Sequence, residues 1–130
     1  PAEPDMMNLA RKLRPQLAAN APKEVRFGLS YHAARAGHTA NGPMTEREKW
    51  VQEALELRRE VAPEELDEAN LWMMACFIHM NLQKVPDAKK EYAELLRIVD
   101  RHKGDALKDA DTWKRLQQAA QTCGTWLADK

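Results

Sequence analysis

Residues 71–82, LWMMACFIHMNL, constrain this chain more than any other stretch. Ten of the twelve are apolar or aromatic, with His79 and Asn81 the exceptions, and no charge interrupts them. A helix that is apolar on nearly every side has to be surrounded by other elements of the fold. Twelve residues fall short of the roughly 20 that a bilayer-spanning helix needs. The stretch therefore predicts the buried central helix of a small domain. The chain's 130 residues suffice for one domain, burying roughly two-thirds of the unfolded surface.

Composition points the same way. Ala, Leu, Glu, Lys, Arg and Gln dominate, while Val and Ile are few, which favours helices and leaves little material for strands. Lys+Arg and Asp+Glu balance at 20 each. Without a basic field, neither nucleic acid nor a membrane surface is an expected partner. The two cysteines, Cys76 and Cys123, show no CxxC and no Cys/His metal spacing. They read as buried thiols of a reducing compartment, and a disulfide would require their helices to touch at that level. The expected location is cytoplasmic; a chain exported with its signal peptide already removed would read the same.

Apolar periodicity divides the chain into six helices. The first covers about residues 5–19, with Met6, Leu9, Leu13 and Leu17 on one stripe and Pro15 as its kink or end. The second covers 21–36, capped by Asn20, with Pro22 in its first turn and Gly37 as terminator. After the turn cluster of residues 38–43, Thr45 and Glu48 form a capping box that starts the third helix, 46–61. Its inward residues are Trp50, Val51, Ala54, Leu57 and Val61. Arg47, Lys49, Glu53, Glu56, Arg59 and Glu60 read as its solvated face. The fourth helix runs from about 64 to 82, with Glu64, Glu65, Asp67 and Glu68 favouring its positive end. The fifth covers 86–102 and the sixth 106–128, whose Gly124 suggests a close helix approach. Short connections make neighbouring helices antiparallel. The expected fold is all-α, one domain over residues 1–130, with six antiparallel helices as stacked hairpins or a compact bundle.

Trp72 stands four residues before Cys76, with Ala75 beside it and His79 following. Ala88 and Tyr92 come later with an A-x3-F spacing. Over residues 70–100 this resembles one tetratricopeptide repeat, W-x2-L-G-x2-Y, then A-x3-F, then P. His79 replaces the Tyr, and Asp100 stands where the final Pro belongs. Phe27-Gly28-x2-Tyr31 is a partial echo within residues 24–36. The resemblance implies a stack of helical hairpins whose first helices line a concave face for a peptide or partner helix. Carried onto this sequence, that face has Val25, Leu29 and His32 on the second helix. On the fourth helix it has Asn70, Met73, Phe77, Met80 and Asn81. The set is mostly apolar, with methionine's adaptability. It lacks the Lys/Asn set of repeats that clamp a terminal carboxylate. The competing reading is that these residues are plain core.

Met73, Cys76, His79 and Met80 share a helix face and would suit Cu(I), but a core row with one hydrogen-bonded His is preferred. Glu65-x2-Glu68 and Glu91-x2-Glu94 superficially resemble the Mg²⁺ site of all-α nucleotide pyrophosphohydrolases. Antiparallel packing should leave the two pairs about 10 Å apart along the helices, too far to share a metal pair. Ser30, His32, His38, His102 and Cys76 have no spacing that makes a nucleophile and base. No Gly-rich phosphate loop or GxSxG is present. Arg11, Lys12 and Arg14, like Arg58-Arg59, read as solvent-facing charge. The sequence thus predicts a non-enzymatic interaction domain, adaptor or chaperone-like, binding a protein or peptide through an apolar groove. No cofactor or metal is expected, and self-association stays open. The alternative is a small-molecule-binding or enzymatic bundle whose internal pocket is lined by some of the four Trp and six Met.

Overall fold

A computed structural model describes residues 3–16, 21–102 and 110–130, without the side chains of residues 3–6. The chain is all-α: α1 Glu3–Leu13, α2 Lys23–Thr39, α3 Met44–Val61, α4 Glu65–Asn81, α5 Val85–Arg101 and α6 Ala110–Leu127. No strand occurs among the described residues, and no helix there is long and apolar enough to cross a membrane. The chain divides into two compact units, Pro1–Pro63 and Glu64–Lys130.

In the first unit, α2 and α3 form an antiparallel hairpin and α1 packs on α2. Pro15 acts as expected: the α-helix ends at Leu13 and a single 3₁₀ turn, Arg14–Gln16, follows, because the ring removes a donor and crowds the preceding turn. Residues 17–20, including the expected cap Asn20, lie outside the described residues. Gly37 does not terminate α2. The helix runs on to Thr39, and a Cβ at Gly37 would stand 2.8 Å from Arg47 Cγ and 3.3 Å from Met7 Cε. The glycine serves the approach of α3 to α2. The chain reverses through Asn41, at φ 54, a left-handed conformation that Asn tolerates well.

The expected capping box does not form. Pro43 occupies the position before α3, no side chain caps it, and Thr45 lies inside the first turn. Arg47 is the larger correction. Read as part of a solvated face, it is buried at 3% exposure, because Gly37 opens room for its stem between α2 and α3. Around it the core comprises Met7, Phe27, Tyr31, Trp50, Val51 and Leu57. Arg11–Glu46, at 2.6 Å, and Arg14–Glu53, at 3.1 Å, tie α1 and the turn that follows it to α3.

In the second unit, α4 and α5 form the hairpin, turning through Gln83 at φ 59, and α6 packs on both. Pro86 sits in the first turn of α5, where its missing N–H costs nothing. Residues 103–109, including the expected start of the sixth helix and Leu107, lie outside the described residues. Leu71, Met74, Ile78, Leu95 and Ile98 are wholly buried, each contributing about 1.5–3 kcal/mol by leaving water. The apolar stretch of α4 is nonetheless not covered on every side. Met73 and Phe77 are half-buried and Asn81 is exposed.

Candidate functional site

The residues expected to line one groove belong to two different units and are placed one helix at a time. On α4, Asn70, Met73 and Phe77 form a half-buried row that ends at exposed Asn81. These positions, three and four apart, share a helix face. Asn81 Nδ2 donates to the Phe77 carbonyl at 2.8 Å. Met80 does not join the row. At 8% exposure it is packed in the core with Cys76, Ala88, Cys123 and Leu127.

On α2, Val25 and His32 are exposed and Leu29 is half-buried. Leu29 and His32 line a recess of ≈ 190 Å³ whose other walls are Leu9, Ala10, Leu13, Gly28 and Ala33, almost wholly apolar. Leu9 at 45% and Val25 at 50% are the exposed large hydrophobics among the described residues. The α1 contribution was legible only as a stripe facing inward. The stripe is wider than α2 can cover, so Leu9 is left at the rim.

The first unit also holds buried polar atoms without partners. Ser30 Oγ, Trp50 Nε1 and Arg47 Nε and Nη1 make no hydrogen bond. Each such group costs about 1–3 kcal/mol. Arg47 Nη2 donates to His38 Nδ1 at 3.3 Å. Burial, and then the Arg47 charge, hold the His38 pKa below its ordinary value, and burial lowers that of Arg47. An open depression of ≈ 750 Å³ lies elsewhere on this unit, with Trp50, Arg26 and Lys49 on its walls. Its two carboxylates, Glu46 and Glu53, are engaged by Arg11 and Arg14, and Arg14 lies over the Trp50 ring at 5.3 Å.

The second unit pairs its polar groups. His79 Nδ1 and Glu91 Oε1 share a hydrogen bond of 2.6 Å, with both side chains almost fully buried. The burial of Glu91 had a signal in the sequence: it stands three residues after Ala88 and four before Leu95, on the inward stripe. At the far end Glu65 binds Arg101 and His102, and the His102 ring stacks on Trp113 at 3.9 Å. The hydrogen bond from His102, aided by the Arg101 charge, holds the Glu65 carboxyl below its usual range. Trp72 Nε1 donates to Glu68 at 3.1 Å.

The four glutamates weighed for metal are thus committed to basic partners. Arg97 stands 3.7 Å from Glu68 and 3.0 Å from Glu94. The Arg97 guanidinium thus stands between the Glu68 and Glu94 carboxylates, where a metal shared by the pairs would have to sit. No group of three or more His, Cys, Asp or Glu among the described residues is placed to hold a metal. Ser30 is buried, while its neighbour His32 is exposed, so they cannot act as nucleophile and base. The Cu(I) set also disperses: Met73 is half-buried, and His79 gives Nδ1 to Glu91. A different thiol, Cys123 of α6, instead shares the core cluster with Cys76. The interaction of the two thiols pushes the Cys76 pKa up and the Cys123 pKa down. Neither thiol is in a disulfide.

The Cys76–Ala88 crossing is tight. Both are fully buried, and the Cys76 thiol reaches the Ala88 carbonyl at 3.5 Å. Small residues at a crossing allow such an approach in any closely packed hairpin. Comparisons of the chain with protein-family models, with curated proteins and with solved structures give no match.

Proposed function

We propose that the chain is a non-enzymatic protein-interaction module, adaptor or chaperone-like in type, whose first unit seats an apolar side chain of a partner helix or peptide between α1 and α2. One observation carries this reading: the exposed Leu9 lines the apolar recess that also holds Leu29 and His32, and the exposed Val25 stands one turn before Leu29 on α2. Its ≈ 190 Å³ suits one or two large side chains, the anchor of a helix-in-groove contact. Burying such an anchor contributes about 1.5–3 kcal/mol. By sequence α1 and α2 carry five basic residues, Arg11, Lys12, Lys23, Arg26 and Arg35, against three acidic ones, Glu3, Asp5 and Glu24. That excess favours a partner with acidic residues beside its anchor. On α4 the row of Asn70, Met73, Phe77 and Asn81 offers a second contact strip. The repeat resemblance over residues 70–100 agrees with a binding role but does not specify the partner.

The test is selection of peptides from a displayed library of amphipathic helices. Selected peptides should carry a Leu, Phe or Met anchor with flanking Asp or Glu. They should perturb the NMR methyl signals of Leu9, Leu13, Val25 and Leu29. Gly28→Ala separates binding from folding. Nothing lies within 4 Å of a Cβ there, so the fold should gain about 0.5–1 kcal/mol, while the narrowed recess should bind the peptides less well. Peptides that bind Gly28→Ala and Leu29→Gln as tightly as the parent chain would refute the proposal.

A further inference from the structure

We propose that Cys76, Met80 and Cys123 form a buried site for one Cu(I) ion. α4 carries Cys76 and Met80 one turn apart and α6 brings Cys123 to them, all within one core cluster. Cys76 Sγ stands 3.8 Å from Met80 Sδ, and Cys123 lies in the same cluster, near enough for the two thiols to interact. Three sulfurs about 2.3 Å from a central ion, the usual Zn–S length, would stand about 4.0 Å apart in a trigonal plane. The Cys76–Met80 spacing of 3.8 Å is thus close to what a three-coordinate ion needs.

The donors select the metal. Zinc requires four ligands in a tetrahedron, and only three sulfurs converge here. Thiolates with a thioether favour Cu(I), and both cysteines at 0% exposure and Met80 at 8% keep water from the ion. Binding exchanges protons only. Two S–H bonds break, two Cu–S bonds form with the thiolates, Met80 adds a neutral third donor, and two protons leave to solvent. Copper remains Cu(I), so no oxidant or reductant is required. Spacing along α4 alone pointed to Met73 and His79 as ligands. The packing of α6 replaces them with a thiol 47 residues further on from Cys76.

The experiment titrates the reduced full chain without oxygen, supplying Cu(I) as its acetonitrile complex against the chelator bathocuproine disulfonate. One copper per chain should be retained, with a thiolate-to-copper absorption in the near ultraviolet and only sulfur neighbours by X-ray absorption. Losing a residue that merely supports a metal ligand costs 10–100-fold, so Cys123→Ala should weaken binding by about 100-fold or more. Met80→Leu conserves volume and keeps the core; it should cost about tenfold, the lower end of that range. Equal retention by the parent chain and Cys123→Ala would overturn the site, as would nitrogen or oxygen neighbours at the ion. So would a reduced chain that retains no copper but closes a Cys76–Cys123 disulfide when a small disulfide or a peroxide takes up its two electrons.

Discussion

In the second unit the buried polar groups meet one another: His79 meets Glu91 in the core, and Cys76 meets Cys123. In the first unit they do not. Arg47 is buried with only a neutral imidazole against it, and Ser30 and Trp50 leave their donors unmet. Three helices and a comparable set of apolar residues build each unit. The difference teaches that apolar periodicity is enough to make a helical core, whereas polar pairing decides how firmly and how uniquely it is set. The first unit also leaves Leu9 and Val25 in water. Its interior and its surface are both less complete than those of the second unit, which suits the unit assigned the partner.

The largest test of that contrast is a pair of substitutions. Glu91→Ala removes the carboxylate from a buried pair, and such breaks cost about 3–5 kcal/mol. Arg47→Met keeps an unbranched stem against Gly37 and removes a cation that has no carboxylate. It should be neutral or stabilise by about 1 kcal/mol, as replacing poorly compensated buried charge by apolar side chains often does. Urea denaturation of the two variants decides. Comparable losses in both would show that Arg47 is as well compensated as Glu91 and would erase the difference between the units.

The same pair of residues marks where the sequence stops being legible. All six helices follow from the spacing of apolar residues, and Pro15 ends α1 as its chemistry requires. Gly37 misleads, because a glycine after an apolar row looks like a terminator until Arg47 is known to lie against it. The burial of Arg47 is invisible locally: charged neighbours on α3 surround it in sequence, and only the crossing with α2 takes it out of water. Thr45 and Glu48 fit a capping box, yet Pro43 has already fixed the start of the helix. Glu91 was readable from its place between Ala88 and Leu95, since a carboxylate on an inward stripe needs a partner, and His79 is the matching oddity on α4. Half of the expected binding row on α2 depends on α1, and the Cys76–Cys123 meeting depends on α6. Contacts between helices distant in sequence carry no periodic signal.

The smallest effect sharpens the contrast through pH. His38 has a folded-state pKa below its ordinary 6.5, because burial and Arg47 oppose its protonation. Above that pH the ring is neutral in both states and makes no difference. As pH falls through 6.5 the unfolded chain takes up the proton first, so the first unit loses stability from there down to the folded value. Glu65 in the second unit behaves at lower pH. Its folded pKa lies below 4.5, so its contribution is complete above 4.5 and is lost as pH falls through the folded value. It is largely solvent-exposed, which keeps the effect small. Trp50 reports on the first unit, and Trp72, Trp113 and Trp126 report on the second, each through its own indole N–H signal in NMR. At a fixed urea concentration below the transition, acid should move the Trp50 signal from its folded position before the other three. His38→Gln, which cannot take up the proton, should narrow that gap. If all four signals move together in the parent chain, the unmet charge of the first unit has no measurable consequence for its stability.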